Sequence, residues 1–182
     1  MIGFSLQAGR GEFYRSKPRE LRKGAGGGWM IDFSLSFFCP SGKNAVVHPL
    51  FAKADKLSSD VIGAAIEVHR LKGPGLIESI YEKCLSRELS LRGISCVSQK
   101  VVPIDYKGYL FEELLRFDSL VESCLLLELK CVEKVLPVHK AQLLSYMKLL
   151  NIPIGLLFNF HEMKLAEGIV RLILPGANIE SI

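Results

Sequence analysis

The amino-acid sequence predicts a mixed α/β fold in which a central mixed sheet is flanked by helices, with the element order ααβββαββ. Two segments, 58–71 and 76–92, repeat apolar residues at helical spacing, whereas 94–132 is dominated by strand-like apolar runs. A third helical segment, at 135–150, lies between this region and the apolar strand runs that follow it. A helix that crosses between two strands is typical of a layered α/β domain.

The composition predicts one folded domain behind an N-terminal extension. The 182-residue chain is 49% hydrophobic and 23% charged, which is ordinary for a globular protein and sufficient for a sizeable core. Residues 1–53 lack sustained periodicity and contain a basic cluster at 15–23 and a glycine run at 24–28. We therefore expect an extension over 1–53, a folded domain over 54–176 and a short tail over 177–182.

Charge and cysteine content exclude several classes of protein. The net charge of +4 comes from the extension, because residues 54–182 carry fifteen Lys/Arg against sixteen Asp/Glu. Bulk charge therefore gives no argument that the domain binds nucleic acid. Five cysteines without CxxC or Cys/His spacing predict neither zinc nor a disulfide framework and favour the reducing cytoplasm. No apolar run approaches the roughly 18 residues that span a bilayer, so no membrane partner is expected.

Two expectations concern the extension itself. Residues 31–38 are apolar enough to add a short edge strand, and Met30 is a candidate for a later natural start. The glycine run is not a phosphate loop, because no Gly-Lys-Ser/Thr follows it and no strand precedes it.

The first helix is predicted from a serine cap, Ser58 or Ser59, to about residue 71. Ile62, Ile66 and His69 follow at helical spacing and define one broad apolar face. On such a face, His69 is expected to be a hydrogen-bonded core residue rather than a ligand. The GPG sequence at 73–75 then ends the helix.

The second helix is predicted from about Leu76 to Arg92, where Gly93 closes it. Glu78 lies in its first turn, a position where an acid is commonly no more than a favourable partner of the helix dipole. Six residues form the expected buried stripe: Ile77, Ile80, Tyr81, Cys84, Leu85 and Leu89.

The strands begin at 94–106, where Pro103 favours an edge position or a bulge because it cannot donate to a ladder. A turn at 107–108 leads into 109–114, and the sheet continues from there. The third helix has Pro137 in its first turn.

The stretch 115–132 contains the most informative pattern in the chain, two apolar arms joined near Glu122 by a tight turn. Asp118 lies on the first arm, and Glu128 and Lys130 lie on the second, where alternation makes them share a face about 6.6 Å apart. A turn at this point sets Asp118 opposite Glu128 or one position off, which brings directly opposed Cβ atoms within about 5 Å.

Burial of this group has a chemical consequence. Two carboxylates repel each other, and buried charge is costly unless it is paired or metal-bound. A divalent cation such as Mg²⁺ relieves both costs, since it prefers oxygen ligands. The alternative is a Glu–Lys pair on a solvated strand face, although the surrounding apolar run favours burial.

These residues together resemble the GxxExxY proteins of the PD-(D/E)XK nuclease superfamily. The motif is present as Gly75, Glu78 and Tyr81, and the sequences FDSLVE, LELK and LPVHKAQLLSYMKLL follow it in the family's order. The resemblance covers about residues 57–174 and implies a restriction-endonuclease-like core.

The resemblance also implies roles for individual residues. Asp118 and Glu128 would be metal ligands together with the main-chain carbonyl of Leu129, Lys130 would be the catalytic lysine, and Glu78 would be a further metal or water ligand. On the third helix, a Q-x3-Y pair would orient the scissile phosphate or the attacking water; it consists of Gln142 and Tyr146, which share one helix face.

The predicted function is therefore a Mg²⁺- or Mn²⁺-dependent nuclease whose partner is nucleic acid, with DNA favoured. A catalytically inactive nucleic-acid- or protein-binding module on the same fold is the alternative. A small-molecule phosphohydrolase is a third hypothesis. Self-association into a homodimer would suit a compact nuclease domain.

Overall fold

The computed structural model describes residues 47–178. The elements, in chain order, are α1 (Phe51–Lys72), α2 (Glu78–Leu91), β1 (Cys96–Tyr106), β2 (Tyr109–Val121), β3 (Leu125–Lys130), α3 (Pro137–Leu150), β4 (Ile154–Asn159), a 3₁₀ turn (Leu165–Gly168) and β5 (Ile169–Ile173). This order confirms the predicted ααβββαββ. The strand expected at 31–38 and the start considered at Met30 lie outside the described residues.

The five strands form one mixed sheet in the order β1-β2-β3-β4-β5. β3 and β4 are parallel, with α3 as the crossover between them, and the other neighbouring pairs are antiparallel. β1 is an edge strand, which confirms the position predicted for Pro103. β2 is continuous from Tyr109 to Val121, so the segment predicted at 109–114 and the first arm of the hairpin are one strand.

The two faces of the sheet carry separate cores. α1 and α2 cover one face, where Val61, Tyr81 and Leu85 pack with Leu127 and Leu129. α3 covers the other face, where Leu143 and Met147 pack with Leu126 and Leu157. Alternation along β3 thus directs Leu125, Leu127 and Leu129 toward α1 and α2 and Leu126 toward α3.

α1 begins at Phe51, earlier than predicted, so neither Ser58 nor Ser59 caps it. Ser58 is instead buried within the helix, and its hydroxyl donates to the Ala54 carbonyl at 2.8 Å. Ile66 is 43% exposed, because only one narrow stripe of α1 packs against the sheet. His69 is a core histidine, as predicted, and its Nε2 lies 2.9 Å from the Glu162 carbonyl oxygen.

α2 is anchored at its start by Tyr81, which is fully buried. Its hydroxyl donates to the Gly73 carbonyl at 2.5 Å and accepts from the Leu76 amide at 3.2 Å. Gly75, with φ of 98°, supplies the left-handed turn between these contacts. The buried stripe is narrower than predicted, since Ile77 is 66% and Ile80 38% exposed. Within residues 47–178, no helix is long and apolar enough to cross a bilayer.

Candidate active site

The hairpin between β2 and β3 positions the first predicted site residue. Glu122 and Ser123 have φ of 46° and 55°, so the tight turn lies where the sequence predicts it. In the ladder that follows, Val121 pairs with Leu125 and Ser119 with Leu127. One further step of this register reaches Asp118 and Glu128.

Asp118 lies at an irregularity in β2. The pairing of β1 moves from Val97–Leu120 to Gln99–Arg116, so three residues of β2 stand opposite one residue of β1. Such a bulge re-aims side chains and interrupts the ladder. On the opposite side of β2, the Oδ2 of Asp118 accepts a hydrogen bond from the Leu129 amide of β3 at 2.5 Å. The carboxylate is therefore fixed against β3 by a main-chain donor.

Glu128 and Lys130 form a close ion pair on the even-numbered face of β3. Lys130 Nζ lies 2.6 Å from Glu128 Oε1, and their side chains are only 14% and 3% exposed. The same ammonium donates to the Leu129 carbonyl at 2.9 Å and lies 3.7 Å from Glu78 Oε1. One cation thus contacts two acids and a main-chain oxygen.

Burial determines the electrostatics of this cluster. Desolvation raises the pKa of Asp118, although the Leu129 amide and the Lys130 charge both act to lower it. Desolvation likewise raises the pKa of Glu128 despite its contact with Lys130, and the charges of Asp118 and Glu78 reinforce this rise. For Lys130, burial favours the neutral amine, but the contact with Glu128 and the surrounding carboxylates outweigh it and raise the pKa.

Glu78 reaches the cluster from the first turn of α2, where its side chain remains 42% exposed. The hydrogen bonds of Tyr81 fix the loop before this turn and so set the position of Glu78. The glycine, glutamate and tyrosine of the motif therefore act together to place an acid beside Lys130.

Glu82 is a further acid of this region, and it was not predicted from the sequence. Its pKa is raised by burial and then by the charges of Asp118 and Glu78. The signal was available, because Glu78 and Glu82 are four residues apart and share a face of α2, an arrangement of like charges that destabilises a helix.

Gln142 and Tyr146 lie on α3, where Gln142 is exposed and Tyr146 is half-buried against the core of that face. Among residues 47–178, no hydrogen bond or ion pair links either side chain to Asp118, Glu128 or Lys130. They share the α3 side of the sheet with Glu128, whose strand neighbour Leu157 belongs to the core under α3.

The donor set fits a hard divalent cation. The Lys130 ammonium already contacts oxygens of Glu128, Glu78 and Leu129, which are three of the four predicted ligands. All of these donors are oxygens, the ligands that Mg²⁺ and Mn²⁺ prefer. Within residues 47–178, no group of three or more His, Cys, Asp or Glu side chains is close enough to hold a metal. Waters would therefore have to complete the coordination shell of a bound Mg²⁺.

Fold and site together define an α/β domain with a carboxylate–lysine cluster at the end of a central strand. The family model of the PD-(D/E)XK nuclease superfamily matches residues 55–172. The chain therefore belongs to that superfamily, and the predicted fold class is confirmed. The narrower resemblance to GxxExxY proteins stays a prediction.

Two further comparisons are distant or empty. The crystal structure of SSO0001 aligns with a TM-score of 0.41 and 19% sequence identity, over 67% of this chain and 61% of that chain. This chain thus spans less than two thirds of the length of that one. No curated protein matches the sequence significantly.

Proposed function

We propose that this protein is a divalent-metal-dependent nuclease that hydrolyses phosphodiester bonds in nucleic acid, with DNA as the favoured substrate. Membership of a nuclease superfamily supports the reaction class. The observation that carries the proposal is the Glu128–Lys130 pair, 2.6 Å apart with side chains only 3% and 14% exposed, beside the half-buried Asp118. Charges kept in such surroundings are commonly retained for chemistry rather than stability.

Asp118, Glu128 and the Leu129 carbonyl would hold the metal. When bound, Mg²⁺ or Mn²⁺ would lower the pKa of a water and polarise the phosphoryl oxygen. The hydrogen bond from the Leu129 amide holds one carboxylate oxygen of Asp118 in place, so this ligand would need little reorganisation.

Lys130 would stabilise the negative charge that develops on the phosphoryl group. An ammonium aimed into a desolvated site acts more strongly there than in water. Glu78, half-exposed beside it, would orient the attacking water. Gln142 and Tyr146 would orient the scissile phosphate from α3.

Cleavage assays test this proposal directly. The purified protein would be incubated with single-stranded, double-stranded and branched DNA and with RNA, in Mn²⁺. We expect wild type to cleave at least one DNA substrate and Asp118→Asn, which keeps a hydrogen-bond acceptor for the Leu129 amide, to lose the activity. Asp60→Asn on exposed α1 is the matched control and should cleave like wild type. Equal cleavage by the Asp118 variant, or none by wild type, contradicts the proposal.

A catalytically inactive binding module is the second candidate. It is favoured by the partial ligand set, because residues 47–178 contain no group of three or more His, Cys, Asp or Glu side chains that could hold a metal ion. Calorimetric titration with Mn²⁺ separates the two candidates. Binding that Glu128→Gln abolishes supports the nuclease, whereas nucleic-acid binding without metal binding supports the module. Sedimentation of the same protein would test the proposed homodimer.

A further inference from the structure

An open groove of about 700 Å³ runs from the candidate site between α2 and the β1–β2 ribbon. Asp118 and Glu82 line it where it meets the site, and Lys83 and Arg87 line it along α2. A smaller groove of about 340 Å³ shares Asp118 and Glu82 and adds Arg116 from β2. Cationic side chains from α2 and from β2 therefore line the grooves that share one predicted metal ligand, Asp118.

These cations form no close ion pair, although the charge of Lys83 partly opposes the rise in the pKa of Glu82. Elsewhere on the two helices, Arg70 pairs with Glu67 at 2.7 Å and Arg92 pairs with Glu88 at 2.8 Å. Lys83, Arg87 and Arg116 make no ion pair within 4 Å in the described part of the chain. The positive charge left without a partner on α2 thus lies along the groove.

The polar lining of the groove has the chemistry that recognises a sugar-phosphate backbone. Ser86, Ser98 and Gln99 supply hydroxyl and amide donors along its walls, and such donors contact phosphate and sugar oxygens in nucleic-acid complexes. An open, partly cationic channel is the usual form of a site that follows one strand.

We propose that this groove binds the phosphodiester backbone of the substrate strand beside the bond to be cleaved, with Lys83 and Arg87 from α2 and Arg116 from β2 as its cations. The inference deepens the proposed function and rests on it for the role of Asp118. The acids at the inner end of the groove repel phosphate, whereas the cations attract it. A phosphate is therefore held at the groove walls, and only a bound metal would admit one at the acids.

Binding measured without cleavage tests the groove separately from catalysis. A fluorescein-labelled single-stranded DNA oligonucleotide would be titrated with protein in EDTA, over a series of salt concentrations, by fluorescence anisotropy. We expect K83Q/R87Q to weaken binding about tenfold and to reduce the slope of log K against log salt by about 1.4, since each phosphate contact on a single strand contributes about 0.7. R116Q alone should reduce the slope by about 0.7.

The matched control is K56Q/K164Q, which removes two exposed lysines that do not line the groove. It should bind and respond to salt like wild type. Double-stranded DNA and RNA of the same sequence, titrated in parallel, show which backbone the groove prefers.

The outcomes separate this inference from the nuclease proposal. If K83Q/R87Q binds with wild-type affinity and slope, or wild type binds no oligonucleotide, the groove assignment is overturned whatever the cleavage assays show. If the variants weaken binding and wild type cleaves nothing, the groove stands and the nuclease proposal falls.

Discussion

Two pairs of a glutamate and a cation in this molecule have nearly the same N–O distance, but the pKa of the glutamate is shifted in opposite directions. Glu67 and Arg70 lie 2.7 Å apart on the surface of α1, where their side chains are 33% and 65% exposed. Glu128 and Lys130 lie 2.6 Å apart on β3, where the exposures are 3% and 14%. The contact with Arg70 lowers the pKa of Glu67, whereas burial raises the pKa of Glu128 in spite of its partner.

The difference shows that pairing alone does not make a buried charge stable. Water screens and solvates the surface pair, so it contributes little in either direction. The pair on β3 has lost that solvation and also faces the charges of Asp118 and Glu78. Such a cluster lowers the stability of the folded state, and a cluster of this kind is expected where the charges serve catalysis.

The largest expected effect comes from removal of the buried cation. Lys130→Met should lower kcat for DNA cleavage by about 10²- to 10³-fold, the range typical for loss of one group that stabilises transition-state charge in a desolvated site. Arg70→Met removes the cation of the surface pair and should leave kcat unchanged. Steady-state assays in Mn²⁺, with circular dichroism to verify folding, measure both. A kcat of the Lys130→Met variant within twofold of wild type would show that the lysine does not take part in the mechanism.

The pattern of apolar residues was sufficient to predict the element order, the turn at Glu122 and the proximity of Asp118 to β3. These features follow from alternation and from turn geometry, which are local. The burial of Glu128 was also predictable, because the other residues of β3 except Lys130 are leucines and both faces of a central strand are covered.

Other features depend on tertiary contacts that no local pattern encodes. The bulge that re-aims Asp118 arises from the register between β1 and β2, and Glu82 becomes part of the site only because α2 crosses next to that bulge. The stripes on α1 and α2 were predicted too wide, since Ile66 satisfies the helical period but lies beyond the edge of the packed face, and Ile77 precedes the first turn of α2. The roles of Gln142 and Tyr146 came from resemblance alone and stay predictions.

Removal of a carboxylate charge should change the free energy of unfolding in opposite directions at the β3 cluster and at the surface pair. Asp118→Asn removes a buried charge, relieves its repulsion with Glu128 and Glu82, and keeps an acceptor for the Leu129 amide. We expect the metal-free variant to be about 1 kcal/mol more stable than wild type, a common result when strained catalytic charges are removed. Glu67→Gln loses a favourable surface contact and should not gain stability. Urea unfolding at neutral pH in EDTA measures both, and a destabilised Asp118→Asn would mean that this carboxylate is structural.

The smallest expected effect is the pH dependence of these two differences. A carboxyl whose folded-state pKa is raised binds more protons in the native state than in the unfolded one, so its cost to stability appears as pH rises through that window. The advantage of Asp118→Asn should therefore be present at neutral pH and vanish as pH falls through the raised pKa toward the unfolded value of about 3.9.

Glu67 has the opposite sign. Its lowered pKa stabilises the native state above the unfolded value of about 4.3, and that contribution is lost as pH falls through the folded-state pKa. Wild type should thus be the more stable protein relative to Glu67→Gln at neutral pH and the less stable one relative to Asp118→Asn. Both differences should approach zero in acid, as measured by urea unfolding from neutral pH downward. The two differences in free energy of unfolding could instead have the same sign at neutral pH. In that case burial would not be what distinguishes the two pairs, and the electrostatics of the β3 cluster would not support a catalytic role.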